Sequence, residues 1–220
     1  MTALLALSEA IEARDPYTRG HSARVAEMAH QVGLRLRCDE IQLGLLHLGG
    51  ALHDVGKLVV AEAILAKRGP LTADEVAEVR KHPEAGARMV ALDRTLRPAF
   101  PGVLFHHERW DGGGYPTGCK GVQIPLEARI LAVVDCYDAM TSDRPYRSAL
   151  PADEAIEEVD RCAGTQFEPD VAQAFIAAWE SGAFGVTAAL RAAAAGLAGR
   201  SARASTRPRA SSSRGGSPRR

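Results

Sequence analysis

Leu52-His53-Asp54-Val55-Gly56-Lys57 closes an apolar helical run, Ile41 through Leu52, and the reading of the whole chain turns on it. Successive helical positions point about 100° apart, so His53 and Asp54 converge on one point beside the axis. Lys57 lies four residues after His53 and three after Asp54, which carries its ammonium over the same face. An imidazole, a carboxylate and a cation at the end of an apolar helix are costly to bury unless something compensates them. A metal ion with an anionic substrate would do so. A capped helix end is the alternative: Asp54 hydrogen-bonded, Gly56 as the left-handed residue after the cap, Lys57 favouring the helix C-terminus. This stretch alone leaves both open; partners elsewhere decide.

The 220 residues suffice for one domain with a substantial core, with or without a tail. Net charge is zero but unevenly spread: no acidic residue follows Glu180, while eight arginines do. Residues 1–180 hold 19 basic against 27 acidic side chains, a net of −8, which argues against a nucleic-acid-binding domain. The four cysteines (Cys38, Cys119, Cys136, Cys162) are dispersed and form no C-x-x-C pair. The N-terminus carries no signal-peptide pattern and no apolar run is long enough to span a bilayer. A cytoplasmic protein with reduced cysteines is the expectation.

Taken in order, Ala3–Arg14 reads as an amphipathic helix (Leu4, Leu7, Ile11), broken at Asp15-Pro16. A second helix runs from about Gly20 to Leu36 and carries His21, Arg24 and Val25 on adjacent turns. His30, nine residues on from His21, faces the opposite way and reads as a surface histidine. Asp39 caps the next helix, with Gln42 in the capping-box position. His47 lies on nearly the stripe of Asp54 but about 10 Å away along the axis, and reads as a core or supporting histidine. A short segment ends at Ile64-Leu65, and Thr72-x-x-Glu75 opens a helix to about Lys81. Pro83 suits the first residue of the next helix, with His82 just before it. Arg97-Pro98 starts another, whose end carries His106-His107-Glu108. Trp110 to Gly118 cannot be regular structure, and with Trp, Tyr and Pro among its glycines it reads as an ordered functional loop. Ile130–Met140 is helical with Asp135 and Asp138 on one face; Arg144 and Arg147 follow. Helices over Ala152–Cys162 and Asp170–Trp179 close the domain, set at residues 1–182. Residues 183–220 are an Ala-rich, then Arg/Ser-rich, tail whose composition reads as disorder. No strand and no repeat is expected.

Collected, the polar residues that interrupt apolar helices are His21, His53, Asp54, His82, His106, His107 and Asp135. Imidazoles mixed with carboxylates suit a first-row transition ion better than Mg²⁺ or Ca²⁺. Five His and two Asp exceed the needs of one ion, and a dinuclear site with a bridging carboxylate uses them economically. Spacing alone does not prove it.

The series His21-x-x-Arg24, His53-Asp54-x-Gly56-Lys57, His82-Pro83, His106-His107-Glu108-x-Trp110-Asp111-Gly112-x-Gly114-Tyr115-Pro116, Ile124-Pro125-x-x-Ala128-Arg129-Ile130, Asp135-x-x-Asp138 and Arg144-Pro145-Tyr146-Arg147 resembles the HD-GYP domain over about residues 3–180. Those domains are bacterial cyclic di-GMP phosphodiesterases of the HD superfamily of metal-dependent phosphohydrolases. The resemblance implies an all-α helical bundle with a dinuclear metal site in its core. It implies metal ligands at His21, His53, Asp54, His82, His106, His107 and Asp135, with Asp54 bridging. By the same resemblance Asp54 and Lys57 are catalytic, Lys57 meeting the scissile phosphate, and Asp138, Arg144 and Arg147 join Lys57 in contacting the dinucleotide. Gly114, Tyr115 and Pro116 form the loop beside the site.

Two departures bear on the chemistry. Some members hold a third ion through a glutamate four residues before the first ligand histidine; here that position is Tyr17, so two divalent ions, iron or manganese, are expected. Such domains usually follow a receiver or sensory domain, and here the domain starts almost at Met1. It stands alone, or regulation arrives through the first helix or a partner protein; homodimerisation is left open. The Ala61-Glu62 stretch lacks a usual proline and Cys119 replaces a common leucine, away from the chemistry. The expected reaction opens cyclic di-GMP to pGpG, with further cleavage to GMP. The rivals are an HD phosphohydrolase of another cyclic dinucleotide, and a catalytically silent signalling module. The basic tail is the one feature open to nucleic acid or an anionic surface.

Overall fold

The computed structural model describes residues 6, 7, 10, 12, 13, 20–143 and 148–185. The expected first helix falls mostly outside them, as do Asp15 to Arg19, Arg144 to Arg147 and all of the tail beyond residue 185; the described positions up to residue 13 are helical. The chain divides into a unit Met1–Phe184 and a second, Gly185–Arg220.

Among the described residues the architecture is all-α, with one isolated bridge (Ala163 with Phe167) and no strand. Helix α1 is His21–Arg35 and α2 is Glu40–Leu52, followed by a 3₁₀ turn at Val55–Val59. Then come α3 (Glu62–Leu65), α4 (Ala73–Val79), α5 (His82–Leu92), a 3₁₀ turn at Arg97–Ala99 that leads into α6 (Phe100–Phe105), and a third at Gly121–Gln123. Helices α7 (Leu126–Thr141), α8 (Ala152–Arg161) and α9 (Pro169–Glu180) complete the fold.

Local chemistry sets these boundaries. Asp39 and Gln42 form the expected capping box on α2, and Thr72 and Glu75 do so on α4. Helix α1 ends where Arg37 turns left-handed (φ 60°), Cys38 N–H donating to Gly33 O and Arg37 N–H to Leu34 O. That is the hydrogen-bond pattern of a Schellman motif without its usual glycine. In α1, Val25, Ala29 and Val32 are fully buried at helical spacing.

Two apolar cores result. One joins α1, α2, α7, α8 and α9 through residues such as Val32, Leu46, Leu131, Val159 and Phe175. The other gathers Leu52, Val55, Ala87, Val90, Ala99 and Val103 from the end of α2, its 3₁₀ turn, α5 and α6. Helix α2 belongs to both, and His53-Asp54 follows its last residue. Backbones come close here: a Cβ on Gly50 would lie 2.6 Å from Ala26 Cα, which keeps α2 tight against α1.

Two expectations change. Gly56 is not among the residues with positive φ; the chain runs on from Asp54 as a 3₁₀ turn. Glycine is required there by contact, since a Cβ would stand 1.9 Å from His82 O. His47 is exposed, not a core residue, because the face of α2 it occupies has no described neighbour packed on it. His30 is half-buried.

Candidate metal centre

Three histidines sit at helix ends for a common reason: the last carbonyls of a helix have no partner within it. His53 Nδ1 lies 2.8 Å from Gly50 O at the end of α2. His82 Nδ1 lies 2.8 Å from Val79 O at the end of α4, and His106 Nδ1 2.9 Å from Val103 O at the end of α6. A carbonyl only accepts, so Nδ1 carries the proton in each ring and Nε2 is left with the lone pair. His21 is held by a carboxylate instead, its Nδ1 donating to Asp138 Oδ2 at 2.7 Å.

The Nε2 atoms converge in two groups. His21 and His53 Nε2 are 3.1 Å apart, and His82 and His106 Nε2 are 3.2 Å apart. Asp54 lies between the groups: Oδ2 is 3.6 Å from His53 Nε2 and 3.9 Å from His21 Nε2, while Oδ1 is 3.3 Å from His82 Nε2. Asp135 Oδ1 adds to the first group, 3.3 Å from His21 Nε2 and 3.8 Å from His53 Nε2. His107 adds to the second, its ring 4.1 Å from His106 and 5.0 Å from His82. Within each trio, His21/His53/Asp54 and His82/His106/His107, one ligand atom per residue lies within 4.8 Å of the others. The facing Nε2 lone pairs of His82 and His106 repel unless a cation lies against them, His21 and His53 meet across a proton that a metal ion would replace, and the donors are nitrogen and carboxylate oxygen. These residues fit two divalent transition ions with Asp54 shared.

Electrostatics separate the two groups. His21 is pushed up to about 9: burial opposes its charge, but the hydrogen bonds to Asp135 and Asp138 outweigh it. Asp54 and Asp135 stay well below the ordinary carboxylate range; burial works against this, and Lys57 for Asp54, and His21 and His53 for Asp135, overcome it. On the other side burial drives His107 down to about 4 and His106 and His82 below their ordinary value, with neighbouring imidazoles adding to it. One group is acidic and proton-binding, the other a set of neutral imidazoles.

Lys57 Nζ stands 2.7 Å from Asp54 Oδ2, its side chain 16% exposed. The glycine-rich loop is ordered against the site. Glu108 is buried, and its Oε1 accepts from Thr117 N–H, Thr117 Oγ1–H and Gly118 N–H at 2.6, 2.8 and 3.1 Å. A Cβ on Gly114 would lie 2.4 Å from Arg109 N, so the loop closes onto its own base. The Tyr115-Pro116 peptide is cis. The Tyr115 ring stacks on His107 at 4.8 Å, and the exposed Arg80 guanidinium lies over it at 5.1 Å.

The fold thus brings His21, His53, Asp54, His82, His106, His107, Asp135 and Lys57 together and sets Tyr115 against them. Asp138, expected to contact the dinucleotide, lies behind the His21 ring. It is 4% exposed, Oδ2 takes His21 Nδ1, and Arg24 grips both oxygens at 2.6 and 2.9 Å. Its carboxylate braces the His21 ring and the Arg24 side chain, taking an imidazole on one oxygen and the guanidinium on both. Arg144 and Arg147 lie outside the described residues. Sequence reasoning missed the roles of Arg24, Glu108 and Arg80. The first two stand in the motif series, but only their partners, 114 and nine residues away, disclose what they do.

The core of this helical bundle holds two adjoining clusters of His and Asp side chains, each with the donors to take a metal ion. The family model described as the HD domain matches residues 6–171, and the chain belongs to that family. It is 42% identical over 177 residues to a cyclic di-GMP phosphodiesterase of Pseudomonas aeruginosa, covering 80% of this chain and 42% of the relative. It is 35% identical over 167 residues to another of that name from Thermotoga maritima, covering 75% and 45%. The chain spans less than half the length of these curated relatives. The crystal structure of a cyclic GMP-AMP specific phosphodiesterase from Vibrio cholerae shares the fold, with a TM-score of 0.66 at 20% identity over 84% of this chain and 49% of the other.

Proposed function

We propose that the domain, residues 1–182, hydrolyses the phosphodiester bonds of cyclic di-GMP, giving linear pGpG and then GMP, and so lowers the level of a cytoplasmic messenger. The observation that carries this reading is Asp54, whose two oxygens face two histidine groups while Lys57 stands 2.7 Å away at the partly open side. The HD-GYP motif series and the names of the relatives at 35–42% identity support the substrate. No helix among the described residues is long and apolar enough to cross a membrane.

Two divalent ions, iron or manganese in this reading, supply the Lewis-acid charge that offsets the phosphoryl oxygens and lowers the pKa of an attacking water. The protein's own groups do the rest. The Nδ1 bonds to Gly50, Val79, Val103 and Asp138 hold the four rings in one tautomer and orientation. Asp54 and Asp135 stay ionised at neutral pH. Lys57 presents a fixed positive charge where charge develops on the phosphate. Tyr115, stacked on His107, walls the imidazole side.

The test is turnover of cyclic di-GMP by protein loaded anaerobically with Fe²⁺ or with Mn²⁺, cyclic GMP-AMP being assayed alongside, with products separated by chromatography. Appearance of pGpG or GMP, lost in His53→Ala and lowered about 10²–10³-fold in Lys57→Ala with ions retained, is expected. No product from protein holding two ions per chain would overturn the reading, and faster cleavage of cyclic GMP-AMP would reassign the substrate.

A further inference from the structure

Helix α1 carries the first ligand, His21, on its first turn, yet it has no cap of its own. Gly20 precedes it in a left-handed conformation (φ 70°) and has no side chain with which to cap it, and its first turn holds no acidic residue. The unpaired N–H groups of a helix start need acceptors, above all where they are buried, and Ser22 is 2% exposed. The acceptor comes from well outside the helix. Glu12 Oε2 receives Gly20 N–H at 2.6 Å, and Oε1 receives Ser22 N–H at 3.1 Å. One half-buried carboxylate thus holds the backbone on both sides of His21.

The geometry points to Glu12 as a positioning residue for the His21 half of the centre, which makes the segment before α1 a lever on metal binding. This rests on His21 being a ligand. The mechanism is local. Asp138 fixes the His21 ring from Nδ1, but a ring is aimed only as well as its Cα is held, and Glu12 holds the peptides flanking that Cα. Its charge also favours the N-terminal end of a helix dipole. The guanidinium of Arg24 works in the same place: it grips Asp138 and passes 3.2 Å from where a Gly20 Cβ would lie, and the carboxylate of Glu12 favours its charged form. Backbone and ring of His21 are thereby braced by Glu12 on one side and by the Arg24–Asp138 pair on the other. A force that draws residues 12 and 13 away from α1 frays its first turn and loosens one ligand of the acidic half; the imidazole half stands on α4, α5 and α6 and is untouched.

The test is titration of the metal-free full chain with Co²⁺, followed by calorimetry and by the visible absorption of the bound ion, in wild type, Glu12→Ala, Glu12→Gln and His21→Ala. His21→Ala identifies the binding step to which His21 contributes. Glu12→Ala is expected to weaken that step about tenfold and leave the other within about twofold, with Glu12→Gln falling between because it keeps neutral acceptors. Hydrogen exchange of the amides of residues 20–24 should quicken in Glu12→Ala before any metal is added. Equal weakening of both steps, or a fall in thermal stability with both steps unchanged, would reduce Glu12 to an ordinary helix cap and overturn the proposal. Two unaltered steps would overturn it as well. If His21→Ala removes no step, it is the assignment of His21 as a ligand that fails, a result readable apart from the Glu12 variants.

Discussion

The two halves of the centre use one residue type under opposite electrostatics. His21 and His53 face Asp54 Oδ2 and Asp135, with Asp138 behind, so the half gathers negative charge and His21 retains a proton up to about 9. His82 Nε2 has Asp54 Oδ1 at 3.3 Å, and burial drives His107 down to about 4 although Asp135 and Asp54 oppose it, so its imidazole is neutral above that pH. The division follows the two cores: the acidic half is mounted chiefly on α1 and α7, the imidazole half on α5 and α6. Asp54 and Lys57 lie at the seam, where α2 passes from one core to the other. The lesson is that histidine count says little about a site; the polar atom behind each ring decides whether it meets a metal as a neutral ligand or must first lose a proton.

The largest expected effect comes from removing the seam. Asp54→Asn takes one charge from both halves at once and should abolish uptake of two ions, with turnover below detection; metal analysis of the purified variant checks it. Retention of both ions would show that the halves do not share Asp54.

A smaller and one-sided effect is expected for Asp138→Asn. The amide removes the anion that holds His21 Nδ1 and Arg24, so affinity of the acidic half should drop about 10–100-fold while the imidazole half is unchanged. Calorimetric titration distinguishes this from a substrate-contact role, which would raise KM and leave ion binding alone.

The finest test counts protons. At about pH 7.5, the binding step lost in His21→Ala should release close to one proton per ion, and the step lost in His107→Ala close to none; heats measured in buffers of different ionisation enthalpy give the number. The same shifts set opposite signs for stability of the ion-free chain. His21, raised from 6.5, contributes stability that is complete below 6.5 and is lost as pH rises through about 9. His107, lowered, lets the unfolded chain bind more protons between about 4 and 6.5, so stability falls as pH drops through that window. Equal proton release at both steps would erase the contrast.

Most of this was legible in the chain. Helix positions, both capping boxes, the seven metal-ligand candidates and Lys57 follow from local patterns and from the motif series, because caps and ligands are chosen by residue type at short spacing. Three matters were not. Gly56 looks like a left-handed cap in one dimension, but it is glycine because His82 O lies where a Cβ would be. His47 shares the stripe of Asp54 yet is exposed, since amphipathic spacing cannot say how far a neighbour extends along a helix. Asp138 sits three residues from Asp135 on one face, which suggests a shared role; three-dimensional neighbours give one the metal side of His21 and the other its back.

Sequence by itself therefore determined an all-α fold of the HD family and which side chains are the candidates for its chemistry, as these depend on residue identity and on contacts within a turn or two. Tertiary structure alone decided how the histidines divide into two groups, that Asp138 braces His21 from behind, and that Glu12 closes the start of α1. Those assignments rest on distances between residues eight to more than a hundred positions apart, set by how α1, α2, α5, α6 and α7 pack, and no local pattern encodes them.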